Sequence, residues 1–165
     1  MWTTFIIAFV LVVAGFDLRT RKIPRQLTIA GLVIGLVYHW FHGDIRSAGL
    51  ATLVAFAVGT ALFALGAIGG GDVKLIIALG AILTFDTWPQ AMFMSVIAAA
   101  IIGLIQVVAK RALLQTLKNM WAILKGLVTL GPGAHPVLNV QNSAMIRSPF
   151  GVAAAIGTIA VLLRV

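Results

Sequence analysis

Residues 89–109 read PQAMFMSVIAAAIIGLIQVVA, a run from Pro89 to Ala109 without a single charge. A helix needs about 20 apolar residues to cross a hydrocarbon core about 30 Å thick, so this run predicts a transmembrane span. The rest of the chain agrees. Of its 165 residues, 61% are apolar and 10% charged, where a soluble domain carries about 25% charge. The 12 basic and 4 acidic residues lie in short stretches between apolar runs. A soluble enzyme is excluded. At about 20 residues per crossing there is no room for a separate soluble domain, and residues 1–165 are expected to form a single integral membrane domain.

Outward from Pro89–Ala109, further spans are predicted at Met1–Leu18, Leu27–Phe41, Ser47–Ala67, Val73–Phe85 and Pro149–Leu163. The expected fold is therefore an all-α polytopic bundle of six transmembrane helices. The connections after spans one, three and five carry Arg19, Arg21, Lys22, Arg25, Lys74, Lys110, Arg111, Lys118, Lys125 and Arg147, and only Arg46 and Arg164 lie on the other side. Basic loops translocate poorly, so those connections are expected in the cytoplasm and both termini outside. No basic stretch precedes the first apolar run, whose first charge is Asp17, and it is expected to be retained rather than cleaved as a signal peptide. The net charge of +8 invites a nucleic-acid reading, but no recognition module accompanies it. The bilayer is the expected partner.

Between Lys110 and Lys125, Leu113, Leu114, Leu117, Met120, Trp121 and Leu124 recur at helical spacing opposite Arg111, Lys118 and Lys125. This predicts a cytoplasmic interfacial helix anchored on anionic headgroups. Residues 131–149, rich in Pro and Gly, read as a cytoplasmic loop. The small-residue pairs Ala99/Gly103 and Ala153/Gly157 read as close helix contacts.

With no cysteine, disulfides, thiol nucleophiles and cysteine-ligated zinc are excluded. His39 and His42 fall at the outer end of span two and His135 in the cytoplasmic loop, so they cannot share an ion, and no HExxH is present. No metal or cofactor is expected. Ser95 has no His or Lys in any span to activate it. Asp44 and Asp86 fall in short outer turns, where solvated acids are ordinary.

Asp17 and Asp72 remain. Span one runs inward and ends near Asp17, while span four runs outward and begins at Asp72, so both carboxylates belong to the cytoplasmic side. Paired carboxylates are an acid/base device. The segment Val73–Phe85 makes about 20 Å of helix, too short to cross alone, which predicts a wetted recess at Asp72. Gly69, Gly70 and Gly71 would each cost about 1 kcal/mol inside a helix, so the helix is expected to stop there, and glycines leave room for an extended peptide beside Asp72. Asp72 alone reads equally as a cap of the following helix; Asp17 on the same face favours the catalytic reading. Pro24 ends the first helix and biases Ile23 to an extended conformation. Arg19, Arg21, Lys22 and Arg25 read as topological anchors.

Together these residues resemble the GxGD type IV prepilin peptidases in their short Flp, or tight-adherence, form: Asp17 followed by Lys22-Ile23-Pro24, then Gly69-Gly70-Gly71-Asp72 with Val73-Lys74, then Ser148-Pro149-Phe150-Gly151-Val152-Ala153. The resemblance implies a metal-independent aspartyl endopeptidase of the bacterial inner membrane. It would cut short basic leaders from prepilins or pseudopilins at the cytoplasmic face, usually after a glycine. Asp17 and Asp72 carry over as the catalytic dyad, and Ile23, Pro24, Gly69, Gly70, Gly71, Lys74, Pro149 and Gly151 as supporting motif positions around the substrate cleft. The chain departs from the pattern in two respects. Arg25 stands where the family commonly has Asn, and the tetracysteine zinc domain of the larger, methylating members has no counterpart, so peptidase activity without methyl transfer is expected. In the expected mechanism the two acids share a proton across a water, with Asp72, at a helix start, more often ionised. Two other classes stay open at this point: a small proton-coupled transporter, since intramembrane acids also relay protons, and a non-catalytic pilus assembly subunit.

Overall fold

The computed structural model describes residues 1–109, Trp121 and residues 149–164. Apart from Trp121, the predicted interfacial helix and the loop that follows it, up to Ser148, lie outside the described residues. Within them there are six α-helices and no strand: α1 (Trp2–Thr20), α2 (Arg25–His42), α3 (Ile45–Ala64), α4 (Gly70–Ile82), α5 (Trp88–Ala109) and α6 (Phe150–Leu162). Three of these, α1, α3 and α5, are long and apolar enough to cross a bilayer. Their outward faces stay apolar: Leu53 is 68% exposed, Phe93 63% and Ile105 62%. Contiguous apolar surface of this kind suits lipid, not water, so the bundle is built as a membrane protein.

The two shortest helices are the central ones. α4 packs against α2 and α3, and α6 packs against α1 and α5. α4 buries Leu75, Ile76 and the whole stretch from Ala78 to Ile82, and α6 buries Gly151, Ala153, Ala154, Ala155, Gly157, Thr158 and Val161. A helix surrounded by helices must be apolar on all sides and small enough to be approached, which explains the alanines and glycines. A Cβ at Gly80 would lie 2.9 Å from the Ala51 carbonyl oxygen of α3, and one at Gly35 would lie 2.7 Å from the Ala81 backbone. Both glycines allow backbone-to-backbone approach of α4 to its neighbours.

The direction of each helix follows from its contacts. α3 and α4 are antiparallel, because Gly80 meets Ala51 at one end while Gly59 meets Val73 at the other. The indole Nε1 of Trp2 donates to the Ile82 carbonyl at 3.3 Å, and His39 Nε2 donates to the same oxygen at 3.1 Å. The start of α1 and the end of α2 are thereby tied to the end of α4. Trp2 stacks on Tyr38 at a centroid distance of 3.6 Å, and Tyr38 on His42 at 3.9 Å, giving this end of the bundle an aromatic cluster of the kind enriched at membrane interfaces. The predicted outer-turn acids Asp44 and Asp86 are exposed.

Two local expectations need correction. The glycines at 69–71 do not stop a helix. α3 ends earlier, where Gly66 takes φ +71° and its amide bonds the Phe63 carbonyl, and α4 begins at Gly70, so that Gly70 and Gly71 lie within its first turn. Among the described residues the Ala99/Gly103 pair forms no packing seam either, since a Cβ at Gly103 would meet nothing there within 4 Å. The buried face of α5 runs instead through Trp88, Ala91, Ser95 and Ala98. Ser95 is where Gly157 of α6 comes against the backbone. The Ala153/Gly157 pair does mark a helix contact.

Candidate active site

Asp17 lies one turn before the end of α1 and is only 6% exposed. Its Oδ2 accepts a hydrogen bond of 2.6 Å from the Gly151 amide, 134 positions away in sequence, and the Val152 amide also addresses the carboxylate. Gly151 and Val152 belong to the first turn of α6, where amides lack partners within the helix. Pro149, the N-cap residue, supplies no side-chain cap. The carboxylate of α1 therefore caps α6 from outside. The approach leaves no space: a Cβ on Gly151 would lie 2.9 Å from both Cβ and Oδ2 of Asp17. Gly151, marked as a site residue in sequence only through the family resemblance, thus lies against Asp17, and Pro149 is the N-cap residue two positions before it.

Asp72 occupies the third position of α4, not its cap. Its Oδ2 accepts from the Gly69 amide at 3.2 Å. Gly69, the N-cap, has no side chain to return the bond, so only half of a capping box exists. Asp72 is partly buried. A Cβ at Gly69 would come within 3.3 Å of Asp72 Oδ2, one at Gly70 would touch the Phe63 ring at 3.6 Å, and one at Gly71 would meet nothing within 4 Å among the described residues.

Both acids lie toward the same end of the bundle. α1 runs from Trp2 to Asp17, about 22 Å along its axis, and α4 runs back from Asp72 to Ile82, about 15 Å, at 1.5 Å per residue. Trp2 is bonded to Ile82, so the carboxylates belong to the end away from the aromatic cluster. Arg19, Arg21, Lys22, Arg25 and Lys74 share that end and are all exposed. The expectation that Asp72 alone enjoys a helix start does not hold, since Asp17 sits at the start of α6.

The turn between α1 and α2 follows its chemistry. Arg21 closes α1 with φ +50°, its amide bonding the Asp17 carbonyl at 2.9 Å. Pro24 is the N-cap of α2 and accepts from the Leu27 and Thr28 amides. Ile23 packs on the core and Lys74 is exposed. Arg21, read in sequence only as an anchor, lies where its charge acts on the Asp17 carboxylate. The i, i+4 spacing of Asp17 and Arg21 was the available signal.

Fold and site define a class: an all-helical membrane protein with one carboxylate at the start of each of its two central helices, toward one end of the bundle. The model of the type IV leader peptidase family matches residues 4–104, which contain both Asp17 and Asp72, and the chain belongs to that family. It is accordingly a peptidase of the aspartic type. No curated protein and no solved structure matches the chain.

Proposed function

We propose that this peptidase removes the short basic leader from type IV or Flp prepilins at the cytoplasmic face of the bacterial inner membrane, with Asp17 and Asp72 as its catalytic dyad. The observation that carries the reading is that these two acids, from separate helices, share one end of the bundle and each engage a backbone amide at the start of a central helix. The ionised acid takes a proton from a water as the water oxygen attacks the scissile carbonyl carbon. The protonated acid hydrogen-bonds the carbonyl oxygen and protonates it in the tetrahedral intermediate. Collapse returns a proton to the departing amine, and one water is consumed per bond cut. The pair titrates as a unit, so the roles belong to the dyad and not to a fixed member.

The proposed topology is six spans in a single membrane domain over residues 1–165, with the acid end cytoplasmic and both termini outside, supported by the bias of basic residues toward the acid end. Ile23, Pro24, Gly69, Gly70, Gly71, Lys74, Pro149 and Gly151 are proposed to shape the cleft. An extended prepilin backbone and the surrounding lipid are the partners. The chain has no cysteine to build a tetracysteine zinc domain, and the proposal is leader removal without methyl transfer.

The deciding experiment incubates purified protein in detergent, with chelator present, with a leader-bearing pilin and weighs the product's new amino terminus. Cleavage at one site near the leader junction is expected, lost in both Asp17→Asn and Asp72→Asn. Wild-type turnover by either variant rules out the dyad.

A further inference from the structure

We propose that Gly151 is a positioning residue for hydrolysis: its backbone amide fixes the Asp17 carboxylate, and its missing side chain lets that carboxylate reach the start of α6. The inference rests on the proposed dyad and adds a third participant, from the last helix. The family match ends at residue 104, so it does not reach this position.

Three observations carry it. The Gly151 amide is 2.6 Å from Asp17 Oδ2, both residues are buried, and the contact joins helices 134 positions apart in sequence. α6 has no cap of its own, so the carboxylate is what satisfies its first buried amides. Any side chain at 151 collides with Asp17, because its Cβ would lie 2.9 Å from Oδ2 and 3.2 Å from Cγ. Contacts that short do not persist, so either the carboxylate or the start of α6 must move by several tenths of an ångström or more. Hydrolysis depends on where the carboxylate oxygens sit relative to the water and the scissile carbon, and a misplacement near 1 Å costs about 100-fold in rate. Binding of the leader does not require that alignment. The rate constant and the Michaelis constant should therefore separate.

The test compares Gly151→Ala with wild type in the prepilin cleavage assay. The expected result is a fall of about 10- to 100-fold in kcat with KM within about threefold. A kcat within twofold of wild type, or a loss expressed entirely in KM, overturns the proposal. A second measurement does not depend on that variant folding. Hydrogen exchange at residues 150–152 should accelerate at least tenfold in Asp17→Ala, which has no acceptor, and much less in Asp17→Asn, which keeps one. Equal exchange in Asp17→Ala and wild type overturns it as well. If wild type leaves the prepilin uncut, or Asp17→Asn cuts it, the proposed dyad falls, while the exchange comparison still reports on the Gly151 contact.

Discussion

Asp72 has a structural task that competes with its proposed chemical one, and a pair of substitutions separates them. Its carboxylate holds the Gly69 amide at 3.2 Å and lies in the first turn of α4. Asp72→Ala removes a capping bond worth about 1 kcal/mol and a charge at a helix start worth about 0.3–1 kcal/mol, so a loss near 1.5 kcal/mol is expected. Asp72→Asn keeps an oxygen for the Gly69 amide and loses the charge, which at the helix start is worth about 0.5 kcal/mol. Against a total stability of about 5–15 kcal/mol neither change depopulates the folded state. If Asp72 were only a cap, both variants would therefore cleave nearly as fast as wild type, with Asn the better of the two. As half of a dyad it makes Asn as inactive as Ala, about 100- to 10,000-fold below wild type, the range that general acid–base catalysis supplies. Unfolding in a graded detergent mixture gives the stabilities, and initial cleavage rates give the activities. Asp72→Asn retaining more than a tenth of wild-type cleavage refutes the reasoning, whatever its stability.

The glycine contacts predict opposite signs for one chemical change. Gly35→Ala drives a Cβ to 2.7 Å from the Ala81 backbone and should cost about 3 kcal/mol, whereas Gly49→Ala inside α3, with nothing within 4 Å among the described residues, should stabilise by up to about 1 kcal/mol; the same detergent titration reads both. Thr158 is buried with a hydroxyl that finds no partner among the described residues, so Thr158→Val should be neutral or gain about 1 kcal/mol, and a loss above 1 kcal/mol would reveal a bond made elsewhere. Because the chain has no cysteine, Asp86→Cys and Lys22→Cys report topology directly. A membrane-impermeant maleimide should label the first in intact cells and the second only after permeabilisation, and the reverse pattern inverts the proposed orientation.

What was legible in the sequence follows from which forces act locally. An uncharged run such as Pro89–Ala109 has few alternatives to a helix in lipid, and the structure has α5 there from Trp88 to Ala109. Pro24 likewise marked the start of α2, because its missing amide is tolerated only there. The face of α5 was not legible. An amphipathic helix shows its buried side by its polar side, but α5 is apolar all round, and a four-residue spacing selected Ala99/Gly103 when Ser95 was the residue packed against α6. The start of α4 was misplaced because four glycines between 66 and 71 look alike in sequence, and only Gly66 takes the positive φ that ends α3. Asp17 was legible as an acid needing a reason. Its partner at Gly151 was not, since no local periodicity spans 134 positions, and only the family resemblance had marked that glycine.

The two central helices are also the two shortest, and that fact joins packing to chemistry. Each has 13 residues, about 20 Å of axis against a hydrocarbon core of about 30 Å. α4 is tied by Ile82 to Trp2 in the aromatic cluster, so on the proposed six-span topology its shortfall is felt at the other end, where Asp72 begins it and Asp17 caps its counterpart α6. A full-length helix there would carry its first amides to the surface and leave them to water. A short one leaves them below it, where each unpaired group costs several kcal/mol and where an acid costs about 2.5–3.5 kcal/mol to insert. Carboxylate and helix start answer each other's penalty: the amides of residues 69 and 151 gain acceptors, and the acids gain donors. On the proposed reading this is why the acids survive at depth, and it constrains the substrate too. A peptide that reaches them must arrive without a helix of its own around the bond to be cut, because a helical backbone keeps its carbonyls bonded and turned away from both carboxylates.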